Sequence, residues 1–422
     1  MMKNANRSFW LMLVCLVATP VGAAEDLIGL YLTWRGDPTT TMTVNWVDIY
    51  EYSGDGVYFR AVRDDDRDEA WQHVEAAEST VGPTTLQLRR AELAGLEPGT
   101  LYEFCVGEKP DDAAHIWRFK TMPAKLDQPI SFVAGGDMMH NRAMMDAMNA
   151  QMQKLNPDFA VLMGDLAYAN DVVGSRWIDW LQSWKEYAVG DGKRLTPMVL
   201  AIGNHEVKKG YDGKIPEDAE YFYSLFSLPS DRSYFALDFG DYLSWIILDS
   251  GHTHDVAGKQ TRWLQAALAE RCDQQFLFAG YHFPAYGTTK APKDGLPIDS
   301  PRAKAIQENW SPLFERYGVT AAFENDHHTF KRSHRLRGRQ RDDENGILYL
   351  GDGAWGVVPR EVPSPEVGWW LAKAESRNHL WHAELRPDGT ATLEAVDPSG
   401  EKFDSVTLSA PRTKPVESAP AG

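Results

Sequence analysis

The sequence of 422 residues predicts an N-terminal all-β sandwich followed by an α/β domain of two mixed β-sheets flanked by helices. Short runs of alternating apolar and polar residues, separated by Gly, Pro and Asp clusters, occupy positions 26 to 122 and indicate antiparallel strands. After a loop at 123–129, strand-like apolar runs alternate with helical stretches, which is typical of a layered α/β domain. A chain of this length also exceeds one ordinary core, so two domains of unequal size are expected.

The first residues have the pattern of a secretory signal peptide. Lys3 and Arg7 precede an apolar run at 9–21, and small residues follow up to Ala23 and Ala24. We expect a signal peptide at 1–24, cleaved near Ala23 or Ala24, and hence a secreted or periplasmic protein. An uncleaved anchor is the alternative, although the run is short for a membrane span, and no other stretch of the chain approaches one.

The strand-like runs of residues 25–123 predict the sandwich. The segment GLEPGTLYEFCV places Tyr102 just after a turn and near a strand start, as in a tyrosine corner, and the domain resembles a fibronectin type III domain. Only His73 and His115 of the twelve His residues lie here, so we expect no chemistry in this part. Cys105 and Cys272 fall in different predicted domains and are expected to be unpaired thiols.

The α/β part, at 128–411, is predicted to contain helices at 141–155, 175–187, 260–269 and 302–317. Two hairpin-like stretches, SYFALDFGDYLSWIILD and HLWHAELRPDGTATLEAVD, imply antiparallel strands, so the sheets should be mixed. The last residues, 412–422, have no apolar period and are expected to be a disordered tail.

The net charge of -17 argues against a nucleic-acid-binding surface. It also gives no long-range attraction for phosphate anions, so a phosphate-binding site would depend on local positive charge. The expected partner is a small phosphate ester, and the oligomeric state is left open.

Five motifs each follow an apolar, strand-like run, and they carry the candidate functional residues. They read GGDM at 135–138, GDLAY at 164–168, GNHE at 203–206, YHFP at 281–284 and ENDHH at 324–328. Because strand ends converge in space, we expect their Asp, Asn, Tyr and His side chains to meet. Such a mixed oxygen and nitrogen set suits two adjacent cations better than a structural zinc.

The order of these motifs resembles the purple acid phosphatase branch of the calcineurin-like metallophosphoesterases, over nearly the whole mature chain. The resemblance implies a purple acid phosphatase N-terminal domain at 25–123 and a metallophosphoesterase domain at 128–411. It implies two metal ions, Fe(3+) and a divalent ion such as Fe, Zn, Mn or Mg. The implied ligands are Asp137, Tyr168 and His328 for the ferric ion, Asn204 and His282 for the divalent ion, and Asp165 as the bridge.

One implied ligand departs from the family pattern. The family's last motif has two His residues separated by one position, whereas 326–328 read Asp-His-His. Either Asp326 binds through oxygen, favouring Mn, Mg or Ca over Zn, or His327 is the nitrogen ligand. We favour Asp326, because residues two apart on an extended segment point the same way and Asp326 then shares the side of His328. A single occupied metal site is a third alternative.

The resemblance implies an acid phosphatase-like enzyme in which a metal-bound hydroxide attacks a phosphate monoester. His205 would be the catalytic residue that hydrogen-bonds the phosphoryl oxygen or protonates the leaving group. We expect Glu206 to orient His205. Alternatives are a phosphodiesterase acting on nucleotide or lipid head-group esters, and a catalytically weakened cell-surface binding protein.

Further candidates for contacts to the ligands or the substrate lie near the motifs. His140 and Asn141 follow Asp137, while His252 and His254 belong to a GHTH sequence that precedes His282 and therefore has the wrong order for the closing family motif. The basic residues around Lys331 are expected to form a solvated face, with a phosphate-binding rim as the alternative.

Overall fold

The structure is a computed structural model that describes residues 27–48, 56–63, 70–107, 116–211, 214–362 and 368–409. The predicted signal peptide and the predicted C-terminal tail lie outside these ranges. Within them, no helix has both the length and the apolar character needed to cross a bilayer.

The N-terminal part is a sandwich of two four-stranded antiparallel sheets, ordered β1-β2-β6-β5 and β4-β3-β7-β8. The hydroxyl of Tyr102 accepts a hydrogen bond from the Glu97 N–H at 2.8 Å, which is the contact of a tyrosine corner. The strands are β1 (Gly29–Thr33), β2 (Thr41–Asp48), β3 (Gly56–Ala61), β4 (Gln72–Glu75), β5 (Ala77–Thr80), β6 (Gln87–Ala94), β7 (Leu101–Val106) and β8 (Trp117–Lys120).

The rest of the described chain is an α/β unit with two mixed sheets, as predicted. Its first half contains β9 (Ile130–Gly135), α1 (Arg142–Leu155), β10 (Phe159–Met163), α2 (Gly174–Tyr187), β11 (Met198–Ala201), α3 (Glu220–Leu225), β12 (Phe235–Phe239), β13 (Leu243–Ile247), α4 (Lys259–Ala269) and β14 (Phe276–Gly280). Its second half contains α5 (Pro301–Asn309), α6 (Ser311–Tyr317), β15 (Ala321–Glu324), β16 (Phe330–Ser333), β17 (Leu336–Arg337), β18 (Gln340–Arg341), β19 (Leu348–Gly351), β20 (Leu371–Glu375), β21 (Leu380–Leu385), β22 (Thr390–Val396) and β23 (Lys402–Ser409).

The two large sheets are ordered β11-β10-β9-β21-β22-β23 and β12-β13-β14-β15-β19-β16-β20. Aromatic side chains join them: the ring of Phe132 in β9 lies 5.3 Å from Trp245, 5.7 Å from Phe278 and 6.4 Å from Phe323 between centroids. This buried contact fixes the carboxyl ends of β9, β14 and β15 relative to one another.

The predicted helices are present, except that the single helix expected at 302–317 is divided into α5 and α6 at Trp310. Pro312 lies in the first turn of α6 and explains the break, because it has no N–H for a helical hydrogen bond and its ring collides with the preceding turn. Cys105 and Cys272 form no disulfide with each other.

The sandwich packs directly on the α/β unit. The ring of Trp34 contacts Phe159 and Phe239 at centroid distances of 6.2 and 5.6 Å, and the Tyr31 hydroxyl donates to the Leu225 carbonyl at 2.6 Å. Their shared apolar core extends to the strands that carry the functional motifs.

Candidate metal centre

The five sequence motifs meet where parallel strands end. Strands β9, β10 and β11 are parallel neighbours in one sheet, and β14 and β15 are parallel neighbours in the other. Each motif begins at the last residue of one of these strands or within two residues after it, so the fold places all five at adjoining sheet edges.

One set of possible metal-ligand atoms, called here the first donor group, belongs to Asp137, Tyr168 and His328. The Tyr168 hydroxyl lies 2.9 Å from Asp137 Oδ1 and 3.0 Å from His328 Nε2, and His328 Nε2 is 3.0 Å from the same Asp137 oxygen. Asp137 and His328 are buried. These three side chains therefore present two oxygens and one nitrogen to one point.

A second set of possible metal-ligand atoms, the second donor group, belongs to Asn204, His282 and Asp326. The Nε2 atom of His282 lies 3.2 Å from Asn204 Oδ1 and 3.8 Å from Asp326 Oδ1. All three residues are buried.

Asp165 lies beside both groups. Its Oδ1 is 3.2 Å from His282 Nε2, and one donor atom each of Asp137, Asp165 and His282 lie within 4.8 Å of one another. A carboxylate in this place lies within reach of residues from both donor groups.

The backbone at these residues is unusual. Five of the seven donor residues have φ in the left-handed region: Asp137 (56°), Asp165 (54°), Tyr168 (54°), Asp326 (74°) and His328 (57°). A non-glycine residue in this conformation costs about 1 to 3 kcal/mol and persists where the surrounding structure imposes it, often at functional sites. The convergence of side chains is therefore maintained against local backbone preference.

Gly164 and Gly203 allow the loops to approach closely. A Cβ on Gly164 would lie 2.7 Å from the Gly203 backbone and 2.9 Å from His282 Nδ1. The glycines of the GDLAY and GNHE motifs are thus required by packing of one ligand loop against the other.

The surroundings of His282 indicate that the second group is built for a cation. Its Nδ1–H donates to the Met163 carbonyl at 3.0 Å, so Nε2 faces the oxygens of Asn204 and Asp165. Burial lowers the pKa of His282, but the negative charges of Asp165 and Asp137 outweigh burial and raise the pKa to about 10. The same negative surroundings favour a cation bound to Nε2 in place of that proton, and metal-ligating His residues commonly donate their other N–H to a carbonyl.

His327 is oriented differently from the two groups. Its Nδ1 accepts a hydrogen bond from the Thr289 N–H at 3.0 Å, so the proton of the neutral ring is on Nε2. That nitrogen has no free lone pair for a cation. Asp326 is paired with Lys290 and also lies near His282 Nε2.

Comparison with known families agrees with this geometry. The model of the purple acid phosphatase N-terminal domain matches residues 28–121, and the model of calcineurin-like phosphoesterases matches residues 131–323. The chain is a purple acid phosphatase-like member of the calcineurin-like metallophosphoesterases. This superfamily comprises metal-dependent phosphoric ester hydrolases, and the resemblance seen in the sequence is confirmed.

Two uncharacterized proteins of Mycobacterium tuberculosis, from strains H37Rv and CDC 1551, are 26% identical to the chain over 364 residues. The alignment covers 76% of this chain and 64% of each relative, so the chain spans less than two thirds of their length. The structure of a purple acid phosphatase from yellow lupin (Lupinus luteus) seeds has a TM-score of 0.73 and is 18% identical. The match covers 90% of this chain and 74% of the lupin chain. The structure of PhoD has a TM-score of 0.64 and is 12% identical, and the match covers 91% of this chain and 92% of PhoD. At these identities the two structures show a shared fold.

In this metallophosphoesterase, His205 lies at the edge of the donor groups. Its Nε2 is 3.7 Å from Asp165 Oδ2, its side chain is 26% exposed, and its Nδ1 is 2.5 Å from Asn170 Oδ1. The Asn170 oxygen accepts the Nδ1–H, which leaves Nε2 facing the donor groups. Burial lowers the pKa of His205.

Glu206 does not orient His205 as we expected. Its carboxylate accepts hydrogen bonds from the N–H groups of Gly203, Asp165 and Leu166 at 2.7 to 2.8 Å. Glu206 therefore connects the two loops that carry these N–H groups, and Asn170 is the residue that orients the His205 ring. Sequence reasoning missed Asn170, which lies two residues after Tyr168 and outside the GDLAY motif.

The remaining candidates have varied surroundings. The ring of His140 lies 5.1 Å from those of Tyr168 and His328, and Asn141 caps α1 by accepting from the Met144 N–H at 3.0 Å. His252 is buried with its ring 5.6 Å from that of His282. His254 contacts Ser233 and Asp249, and its GHTH loop is tied by four backbone hydrogen bonds to the Asp249 carboxylate.

Lys331 is neither on a solvated face nor on a phosphate-binding rim. It is fully buried, forms an ion pair with Glu324, and lies 3.3 Å from Asp352. Glu324 also accepts from the Tyr281 hydroxyl at 2.7 Å and the Ala285 N–H at 2.7 Å. The expectation was wrong for Lys331 because its side chain lies on the covered face of β16 beside two buried carboxylates, whereas that of Arg332 is partly exposed.

Proposed function

We propose that this chain is a dinuclear metal-dependent phosphatase that hydrolyses phosphate monoesters outside the cytoplasm. The observation that carries the proposal is the position of Asp165 between two groups of three donor residues. Export is supported by the leader pattern at residues 1–24.

Asp137, Tyr168 and His328 would hold a ferric ion, and Asn204, His282 and Asp326 a divalent ion, with Asp165 shared. The carboxylate of Asp326 favours Mn, Mg or Ca over Zn. The hydrogen bond that His327 Nδ1 accepts from Thr289 supports Asp326 as the ligand. When bound, such a metal pair supplies an activated water near neutral pH and stabilises charge on the phosphoryl group.

His205 would work on the substrate. Asn170 holds the Nδ1 side of the ring, so Nε2 is the atom that carries a proton to the leaving-group oxygen. Its partial exposure allows contact with a substrate, whereas all of the donor residues except Tyr168 are buried. Glu206 positions the loops of Asp165 and His205 and does not contact the reacting atoms.

Two variants test this division of roles. We expect Asp165→Asn to lose both metal binding and turnover, because it removes a shared charged ligand. We expect His205→Ala to keep its metals and to lose mainly turnover. Metal content per chain and rates on an aryl phosphate monoester and the matching diester are measured for both. Equal loss of metal in the two variants would contradict the assignment.

The ion pair between Lys290 and Asp326 favours a second candidate function, a binding protein with a weakened metal site. That function predicts purified protein without iron or divalent ions that resists reconstitution but still binds phosphate esters. One iron and one divalent ion per chain, with monoester turnover, would exclude it.

A further inference from the structure

A cavity of about 360 Å³ adjoins the second donor group. Asp326 and His327 form part of its wall, together with Phe283, which follows the ligand His282, and with Lys290. Ser300 and Arg302, at the start of α5, also line the cavity. A phosphate ester held at the donor groups would extend its leaving group towards this cavity.

Arg302 is held in place by aromatic rings. Its guanidinium carbon lies 4.3 Å from the ring centroid of Phe283 and 5.2 Å from that of Tyr211. In the part of the chain that the structure describes, no carboxylate is paired with Arg302, whereas Lys290 is paired with Asp326. Stacking orders the planar guanidinium and leaves its N–H donors available to a ligand.

The start of α5 places Arg302 at the cavity. Arg302 lies in the first turn of this nine-residue helix, which is capped by Ser300 through the Ala303 N–H. Pro301 has no N–H and the Lys304 N–H donates to the Ser300 carbonyl, so the helix end contributes a positive partial charge more than free donors. Because Lys290 is neutralised by Asp326, the guanidinium of Arg302 is the unpaired positive charge of this wall.

We propose that this cavity binds a second oxyanion, a phosphate or a carboxylate, on the leaving group of the substrate. The inference rests on the proposed phosphatase function and names its substrate class: small bisphosphates or phosphorylated carboxylic acids. The cavity volume is near the lower limit for ligand pockets, which suits a sugar-sized leaving group. Arginine forms paired hydrogen bonds with phosphate and carboxylate, whereas a neutral leaving group would leave these donors unused.

Three six-carbon phosphates test the substrate class with the metal-loaded enzyme. Fructose 6-phosphate has one anionic group, 6-phosphogluconate adds a carboxylate, and fructose 1,6-bisphosphate adds a second phosphate. We expect kcat/KM for the preferred substrate with a second anionic group to exceed that for fructose 6-phosphate by about tenfold, the effect of one hydrogen bond between charged groups. The two substrates with a second anionic group distinguish phosphate from carboxylate as the recognised group.

The variant Arg302→Gln should lower this preference to about twofold or less, because it removes the charge and the paired donors. The matched control is Arg316→Gln on α6, since Arg316 is also exposed and lies over an aromatic ring, Tyr317, at 5.6 Å, but does not line the cavity. Arg316→Gln should retain the full preference.

Hydrolysis of all three compounds with equal kcat/KM would overturn the inference and leave the proposed phosphatase function intact. If none is hydrolysed, turnover of the aryl phosphate monoester decides the proposed function, and calorimetric titration with fructose 1,6-bisphosphate and fructose 6-phosphate tests the cavity alone. Tighter binding of the bisphosphate that is lost in Arg302→Gln supports the second anion site. Equal affinity for the two sugars overturns it.

Discussion

The ammonium group of Lys290 forms an ion pair with the carboxylate of Asp326, a member of the second donor group. Burial raises the pKa of Asp326, but the positive charges of Lys290 and His282 outweigh burial and lower it. Asp326 is therefore a carboxylate, and any cation in the second donor group competes with Lys290 for it.

Replacing Lys290 with Met should strengthen binding of the divalent ion. The variant removes the competing ammonium and keeps an unbranched side chain of similar length. We expect Kd for Mn²⁺ to fall about tenfold, which corresponds to the loss of one charge-assisted hydrogen bond. Calorimetric titration of metal-free protein with Mn²⁺ measures the change.

The control for that titration is Lys304→Met. Lys304 lies on α5 and pairs with Asp299 at 3.8 Å, so this substitution removes the same charge without changing the surroundings of Asp326. An equal gain in affinity in both variants would indicate a general effect of net charge. No gain in either would indicate that Asp326 is not a ligand of the divalent ion.

The choice between Asp326 and His327 predicts different metal contents for two substitutions. Asp326→Asn should lose the divalent ion, because a charged oxygen ligand is replaced by a neutral one. His327→Gln should keep two metals per chain, because the His327 ring already uses Nδ1 to accept from Thr289. Elemental analysis of both purified variants decides this, and the opposite pattern would assign the ligand to His327.

Much of the fold was predictable because local patterns and tertiary structure agree. Alternating runs became the sandwich strands, and apolar runs followed by Asp, Asn or His became strands whose ends meet. The division at Trp310 shows the limit of a periodic pattern, since apolar spacing continued across Pro312 while the proline interrupted the helix.

Partners that depend on three-dimensional packing were not predictable. Asn170 contacts His205 across 35 positions, and Lys290 reaches Asp326 across 36. Neither residue has a recognisable motif, and charge alone suggested the wrong environment for Lys331, because sequence does not show which face of a strand is covered.

Asn170 should act on catalysis by positioning His205. Asn170→Gly removes the acceptor without backbone strain, since residue 170 has φ of 53°, a conformation that glycine adopts freely. We expect kcat to fall about tenfold at unchanged metal content, as is typical when the hydrogen-bond partner of a functional His is removed. Steady-state rates and elemental analysis measure both quantities.

The conservative variant Asn170→Asp separates positioning from a structural effect. It keeps an acceptor for Nδ1–H and tolerates the left-handed backbone. Its negative charge raises the pKa of His205, so if the imidazolium donates the proton, activity should persist to higher pH than in the unsubstituted enzyme. A loss of kcat equal to that of Asn170→Gly, with an unchanged pH profile, would contradict the positioning role.

The buried group of Lys331, Glu324 and Asp352 should dominate local stability. Lys331→Met leaves two buried carboxylates without their cation, so we expect the free energy of unfolding to fall by about 3 to 5 kcal/mol. The double variant Lys331→Met with Glu324→Gln should recover part of this loss, because one unpaired charge is removed. Urea unfolding of the metal-free proteins measures each value.

The neighbouring Arg332→Met is the matched control for the same strand. Arg332 pairs with Asp404 at 2.7 Å and its side chain is 24% exposed, so its loss should cost about 1 kcal/mol. If Lys331→Met cost no more than Arg332→Met, burial would not be the source of the effect. Because Glu324 also accepts from Tyr281 and Ala285 on either side of His282, the destabilised variant should bind the divalent ion more weakly, whereas Arg332→Met should not.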